Sequence, residues 1–204
     1  MYEDFVYYGN DADKKIEIAE KLGFSKLNFV IEIGKIDSVQ TSIKEISNSK
    51  IEIGYYALVE TKKDVNFANK KNLSTIYIYK NEADLRDVIT SLNPDIITNI
   101  EFQKRDFIHH RSSGLNQIIA KLIAEKEIVL GINLGFLIST KHKGSVMGRI
   151  AQNIELANKY SIKVRAFSLA KSWNNMSSPK DMVSLLNTIG RKQKISKEAL
   201  LKQV

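Results

Sequence analysis

Residues able to do acid–base, nucleophilic or metal chemistry are few in this chain, and their spacing is wrong for it. The three histidines are His109 and His110, which are adjacent, and His142, which sits between Lys141 and Lys143 in a polar stretch. A barrel hydrolase holding two or three metals needs His and Asp ligands from several strand ends, in spacings such as His-x-His, and none occurs. Adjacent residues on an extended segment point to opposite faces, so at most one of His109 and His110 faces any given site. A hydrogen-bonded structural histidine is the simpler reading. Cysteine is absent, which excludes disulfides, thiolate nucleophiles and cysteine-held zinc or iron–sulfur clusters. There is no Gly-x-Ser-x-Gly elbow and no P-loop. Lys143-Gly144-Ser145-Val146-Met147-Gly148 lacks the dinucleotide spacing Gly-x-Gly-x-x-Gly and reads as a mobile loop leading into a helix, where a nucleic-acid phosphate is the more specific option. On these grounds no catalytic residue, metal ligand or protein-held cofactor is assigned.

The chemistry the residues do favour is polyanion binding. Net charge is +8, and it is unevenly placed: residues 1–103 carry 13 Lys and Arg against 17 Asp and Glu, whereas residues 104–204 carry 18 against 6. Nucleic acid or an acidic protein would answer such a surface, and a solvated basic face without a partner stays open as the bland alternative. The most informative stretch runs from Arg105 to Leu122, where a strand or loop passes into a helix. Ser112 or Ser113 is the candidate N-cap, and Leu115, Ile118, Ile119 and Leu122 form an apolar stripe at helical spacing. Arg105, Arg111 and Lys121 cluster around it.

These side chains must be positioned by an alternating α/β frame. β-branched and aromatic runs at Phe5–Tyr8, Leu27–Ile31, Ile51–Val59, Thr75–Tyr79, Asp95–Thr98, Ile128–Leu134 and Lys163–Ser168 read as strands. Between them Asp13–Leu22, Val39–Ile46, Glu82–Leu92, Leu115–Ala124 and Met147–Tyr160 have helical periodicity. Gly23 and Pro94 stand where two of these helices should stop. Nearly continuous apolar strands alternating with helices belong to parallel sheets covered on both faces. About seven strands in 204 residues predicts a distorted or incomplete TIM-like (β/α) barrel, with a doubly wound sheet as the alternative. The expected organisation is one domain over residues 1–204, with a basic helical tail from about residue 191. No apolar run approaches the ~20 residues that span a bilayer, and the N-terminus lacks a signal-peptide pattern. The expectation is a soluble cytoplasmic protein with no membrane partner.

The run Phe107-Ile108-His109-His110-Arg111-Ser112-Ser113-Gly114-Leu115-Asn116-Gln117-Ile118-Ile119-Ala120-Lys121-Leu122, followed by Ile128–Leu134, resembles the ribonuclease P protein component 3 family of archaea and eukaryotes. The likeness continues through Arg149-Ile150-Ala151-Gln152-Asn153-Ile154 and through Met176-Ser177-Ser178-Pro179-Lys180-Asp181 before the last helix. It covers roughly the whole chain and is strongest over residues 104–182. One departure is the basic, Asn-rich Lys171-Ser172-Trp173-Asn174-Asn175, where the family more often has small residues. The resemblance implies a distorted TIM-like barrel related to metal-dependent hydrolases but without their ligands. It further implies a subunit that supports a catalytic RNA in removing the 5′ leader of precursor tRNA. The implied partners are the ribonuclease P RNA, a small ferredoxin-like subunit called protein component 2, other ribonuclease P proteins and, through the holoenzyme, precursor tRNA, with magnesium belonging to the RNA. Arg86, Arg105, Arg111, Lys121, Arg149 and Lys171 are the candidate RNA or subunit contacts, and of these Arg105, Arg111, Lys121 and Arg149 lie in matched motifs. Arginine is favoured for a fixed contact because its planar fork clamps one phosphate with two hydrogen bonds. A degenerate barrel hydrolase acting on phosphoesters, and an interaction barrel that never touches RNA, are the competing readings.

Overall fold

Each of the seven apolar runs forms a strand: β1 (Glu3–Tyr7), β2 (Lys26–Glu32), β3 (Glu52–Leu58), β4 (Ser74–Ile78), β5 (Ile96–Thr98), β6 (Val129–Asn133) and β7 (Val164–Phe167). They make one sheet in sequence order, and every neighbouring pair is parallel. The computed structural model describes residues 2–43, 49–81, 84–102, 106, 111–190 and 199. Eight helices lie among them: α1 (Ala12–Leu22), α2 (Ile36–Ile43), α3 (Lys62–Lys70), α4 (Leu85–Ser91), α5 (Gln117–Glu125), α6 (Leu134–Ser139), α7 (Lys143–Lys159) and α8 (Pro179–Gly190).

The sheet curls until its ends meet. Just past β7, Leu169 donates its N–H to the Phe5 carbonyl at 2.9 Å, and Tyr7 donates to the Ala170 carbonyl at 3.0 Å. Leu169 takes the left-handed φ of 43° here, a strained choice for a branched side chain, at the turn that brings Ala170 beside Val6. The buried Asp4 carboxylate reinforces the seam by accepting the Ser168 N–H and hydroxyl, both at 2.7 Å. Within β7, the Ala166 N–H donates to the Ala199 carbonyl. A nearly closed seven-stranded barrel, not a doubly wound sheet, is the outcome.

Inside the barrel, Phe5, Val30, Ile76, Ile96, Phe167 and Leu169 pack into one apolar cluster. The Phe5 ring lies 5.0 Å from Phe167 and 4.8 Å from Tyr56. Side chains on the other face of the strands, such as Phe29, Ile132 and Ile97, pack beneath the surrounding helices. Strands buried on both faces carry no period-2 alternation, which is why these runs are continuously apolar in the sequence.

Several local expectations are corrected. α5 is capped by Asn116, whose side chain accepts the Ile119 N–H at 2.9 Å, not by Ser112 or Ser113. The helix therefore starts after Leu115, the buried face is Ile119, Ala120 and Ile123, and Ile118 is 67% exposed. The stretch from Lys143, expected to be a loop, is already the first turn of α7. Three helices fall outside the set read from periodicity, of which α8 is the last helix that the resemblance implied. α3 is fixed by a capping box between Thr61 and Asp64, and α6 by Asn133, whose side chain accepts the Phe136 N–H. The expected helices over Val39–Ile46 and Glu82–Leu92 extend in part beyond the described residues, and the tail from 191 lies outside them apart from Ala199.

Candidate nucleic-acid interface

In a barrel whose strand order equals sequence order, chain position maps onto angular position around the ring. Segments that follow strand C-termini all emerge on one rim, the face where barrel folds carry their binding groups. Arg86 follows β4 at the start of α4, Arg111 lies between β5 and α5, Lys141 and Lys143 follow β6, and Lys171 follows β7. Among the described residues, the exposed cations Arg111, Lys141, Lys143 and Lys171 therefore stand along one arc of this rim, with Arg86 at its start.

Arg111 is exposed, and its guanidinium lies over α7 at Gly148. A Cβ at Gly148 would stand 2.6 Å from the Arg111 Nε, so the missing side chain is what lets the arginine lie flat there. Lys121 projects from the exposed side of α5, and Arg86 is exposed on the adjacent α4. Lys171 is exposed too, with its ammonium 6.0 Å from the Tyr7 ring. Arg105 and the histidine pair His109 and His110 lie outside the described residues. His142 is exposed at the start of α7.

Arg149 is placed differently from the surface contact expected of it. It is 4% exposed, donates from Nε to Asp106 at 2.7 Å and from a terminal nitrogen to the Glu101 carbonyl at 3.2 Å. It ties α7 to the segment after β5, so its guanidinium faces protein groups and not solvent. The hydrogen bond from Arg149, with a second from the Ser112 N–H, holds the Asp106 carboxyl below the usual carboxylate range. Asn153, one turn along α7, donates to the Ser113 carbonyl at 2.9 Å. The sequence sets Arg111 and Arg149 in two separate motifs; the fold makes the first a surface cation and the second the anchor beneath it.

Beside this anchor, Glu101 is 1% exposed and its Oε1 has no hydrogen-bond partner. Burial pushes its carboxyl up to about 7. A carboxyl whose folded value is raised stabilises the fold fully below its unfolded value of 4.5, and that contribution is lost as pH rises through about 7. Glu101→Gln is therefore expected to raise stability at pH 8 by up to about 3 kcal/mol and to flatten its pH dependence between the two values. Urea denaturation at pH 5 and pH 8 checks this. An unchanged difference between the two pH values in the variant would count against it.

The concavities among the described residues include two on the surface. One, of about 520 Å³, lies between α7 and α8 beside Arg111. The other, of about 630 Å³, lies on the rim between the ends of β6 and β7 and is lined by residues including Phe136, Lys171, Asn174 and Asn175. Sequence reading missed Phe136 and both asparagines as site residues. The Asn-rich departure at Lys171–Asn175 was the signal for the asparagines, and nothing in the apolar run ending at Ile138 marked Phe136 as exposed. Among the described residues, no group of three or more His, Asp or Glu side chains gathers into a metal-like cluster, and no helix is long and apolar enough to cross a membrane.

The sequence matches the family model described as RNase P subunit p30 over residues 10–204. It is similar to Ribonuclease P protein component 3 of Methanosarcina acetivorans, 32% identical over 107 residues that make up 50% of this chain and 45% of the relative. The protein of the same name from Methanosarcina mazei is 23% identical over 94% of this chain and 80% of its own length. A chain in the cryo-EM structure of archaeal Ribonuclease P with mature tRNA has a TM-score of 0.70 at 17% identity, covering 97% of this chain and 86% of that one. At that identity the structural likeness speaks for the barrel fold.

Proposed function

Because this chain belongs to the RNase P subunit p30 family, we propose that it is a protein subunit supporting a catalytic RNA in removing the 5′ leader of precursor tRNA, with no reacting group of its own. The observation that carries this reading is the basic rim. Exposed Arg86, Arg111, Lys141, Lys143 and Lys171 follow strands β4 to β7 on the face where barrel folds carry their binding groups. The surface is thus arranged to position phosphates. Its partners on this reading are the ribonuclease P RNA, the ferredoxin-like protein component 2 and the other protein subunits, in the cytoplasm, with magnesium contributed alongside the RNA. Arg86, Arg111, Lys121 and Lys171 are the exposed cations offered to RNA or a subunit.

Arg111→Ala separates charge from scaffold. It removes an exposed side chain, so stability should move by no more than about 0.5 kcal/mol, while reconstituted cleavage or assembly weakens. If Arg111 meets a phosphate, the salt dependence of RNA affinity should become shallower by roughly one counterion. Ile119→Ala should do the reverse, since Ile119 is 7% exposed and holds α5 against the barrel. Cleavage of precursor tRNA by the reconstituted particle, RNA affinity across salt, and thermal melts check both variants. Equal activity and equal slopes for Arg111→Ala would remove it from the interface, and lost activity with an unchanged slope would assign it to a protein partner. Cleavage by the chain without RNA would favour the hydrolase reading instead.

A further inference from the structure

The rim cavity between β6 and β7 is built from two segments far apart in sequence, the α6 turn and the stretch from Ser168 to Ser177. Its lining includes Lys171 and no Asp or Glu. Phe136 stands at its edge, 45% exposed, and its ring is braced edge-on by Phe102 at 4.2 Å between centroids. Opposite are Asn174 and Asn175, both exposed, whose carboxamides make no hydrogen bond among the described residues. Lys171 likewise forms no ion pair among the described residues. An exposed aromatic face, free groups that both donate and accept, and a cation without an ion pair are the three chemistries that a nucleotide presents in complement. A volume of about 630 Å³ lies within the range of small-ligand sites.

We propose that this cavity holds a single unpaired nucleotide of an RNA strand, with the base stacked on Phe136, its edge bonded to the amides of Asn174 and Asn175, and its phosphate toward Lys171. The proposal rests on the reading that the rim meets RNA, and deepens it by naming what the rim recognises. Duplex RNA cannot enter such a site, because its bases are already stacked and paired. An acidic or apolar protein segment would match Lys171 or Phe136 alone. A nucleotide uses the aromatic, the amides and the lysine together, since base–aromatic stacking tolerates any base while the backbone supplies the charge.

The test uses the full chain and three probes: a single-stranded oligouridine RNA, an abasic strand of the same length, and a duplex of similar charge. Trp173, the only tryptophan, adjoins Asn174 and reports occupancy by fluorescence. Saturable quenching by the single strand, much weaker with the abasic strand or the duplex, is expected. Phe136→Leu keeps apolar volume but removes the π face, so it should weaken single-strand affinity by about 5- to 150-fold with only a small fall in melting temperature. Lys171→Ala should shallow the salt slope by roughly one counterion. Equal affinity for the abasic strand, or wild-type affinity in Phe136→Leu, would overturn the pocket. If Arg111→Ala still impairs the reconstituted particle in that case, the subunit role stands without it. Loss of a protein subunit by Phe136→Leu with RNA affinity intact would overturn the proposal in favour of a protein occupant.

Discussion

Replacing Lys15 by Met is expected to destabilise the protein by about 2–6 kcal/mol, because two backbone carbonyls each lose a donor at about 1–3 kcal/mol apiece. Lys15 is fully buried on α1, and its ammonium has three partners, each at 2.8 Å: the Asp11 carboxylate and the carbonyls of Tyr7 and Lys171. Three donors meet three acceptors, so the desolvation of the charge is offset. The contacts also join the end of β1 to the chain just past β7, across the place where the barrel closes. Methionine fills similar space but strands two carbonyls, and Asp11, which also accepts the Trp173 N–H, loses its counter-charge. The melting temperature should fall on the order of 10 °C for a chain of this size. A fall of only a degree or two would mean that the ammonium is dispensable to closure. Lys14→Met is the control. The Lys14 ammonium rests 4.4 Å from the centre of the exposed Trp173 ring, and its loss should matter little.

The second large effect is expected inside the barrel. Phe167 is fully buried, and Phe167→Ala should cost about 3–5 kcal/mol through lost transfer energy and the cavity left behind. Its ring fits because β6 carries Gly131 on the diagonal: a Cβ there would lie 2.5 Å from the Phe167 Cζ and 2.9 Å from the Thr98 Cβ. Gly131→Ala should therefore be destabilising by about 1–3 kcal/mol, as overpacked cores are. Phe167→Leu shortens the ring that creates the clash. The double variant should then be more stable than the sum of the single effects by an amount on the order of 0.5–3 kcal/mol. Urea denaturation of the four proteins in the cycle measures the coupling. Strict additivity would show that the strands shift apart and that the two residues do not share one space.

Both predictions concern positions that sequence reading passes over, and the reason is the same in each. Helical periodicity identifies α1 from Ile16, Ala19 and their neighbours, but Lys14 and Lys15 are adjacent and chemically identical in the sequence. The two carbonyls that hold one of them inside lie 8 and 156 residues away. Gly131 looks like a flaw in a strand until Phe167 is seen against it. The α5 stripe shows the limit at shorter range. Leu115, Ile118, Ile119 and Leu122 fit a helix face, yet the cap at Asn116 removes Leu115 from the helix and turns Ile118 to solvent.

Residue types and their order along the chain were enough to specify the seven strands, their parallel sense and the concentration of positive charge in the later half. These features depend on local composition: β-branched runs buried on both faces, helices between them, and ionisable groups that can be counted. With strand order following chain order, the same information places Arg111, Lys141, Lys143 and Lys171 along one arc of the rim. Which cations face solvent and which hold the barrel together was settled by three-dimensional packing. Arg111 stays outside because Gly148 gives it a surface to lie on, whereas Arg149, on the same helix as that glycine, is drawn inward by Asp106 and the Glu101 carbonyl. Packing likewise brings Phe136 and the asparagines at 174 and 175 around one cavity. Burial of a charge and the walls of a pocket are set by groups that meet only when the ring closes, and no local pattern of residues encodes that meeting.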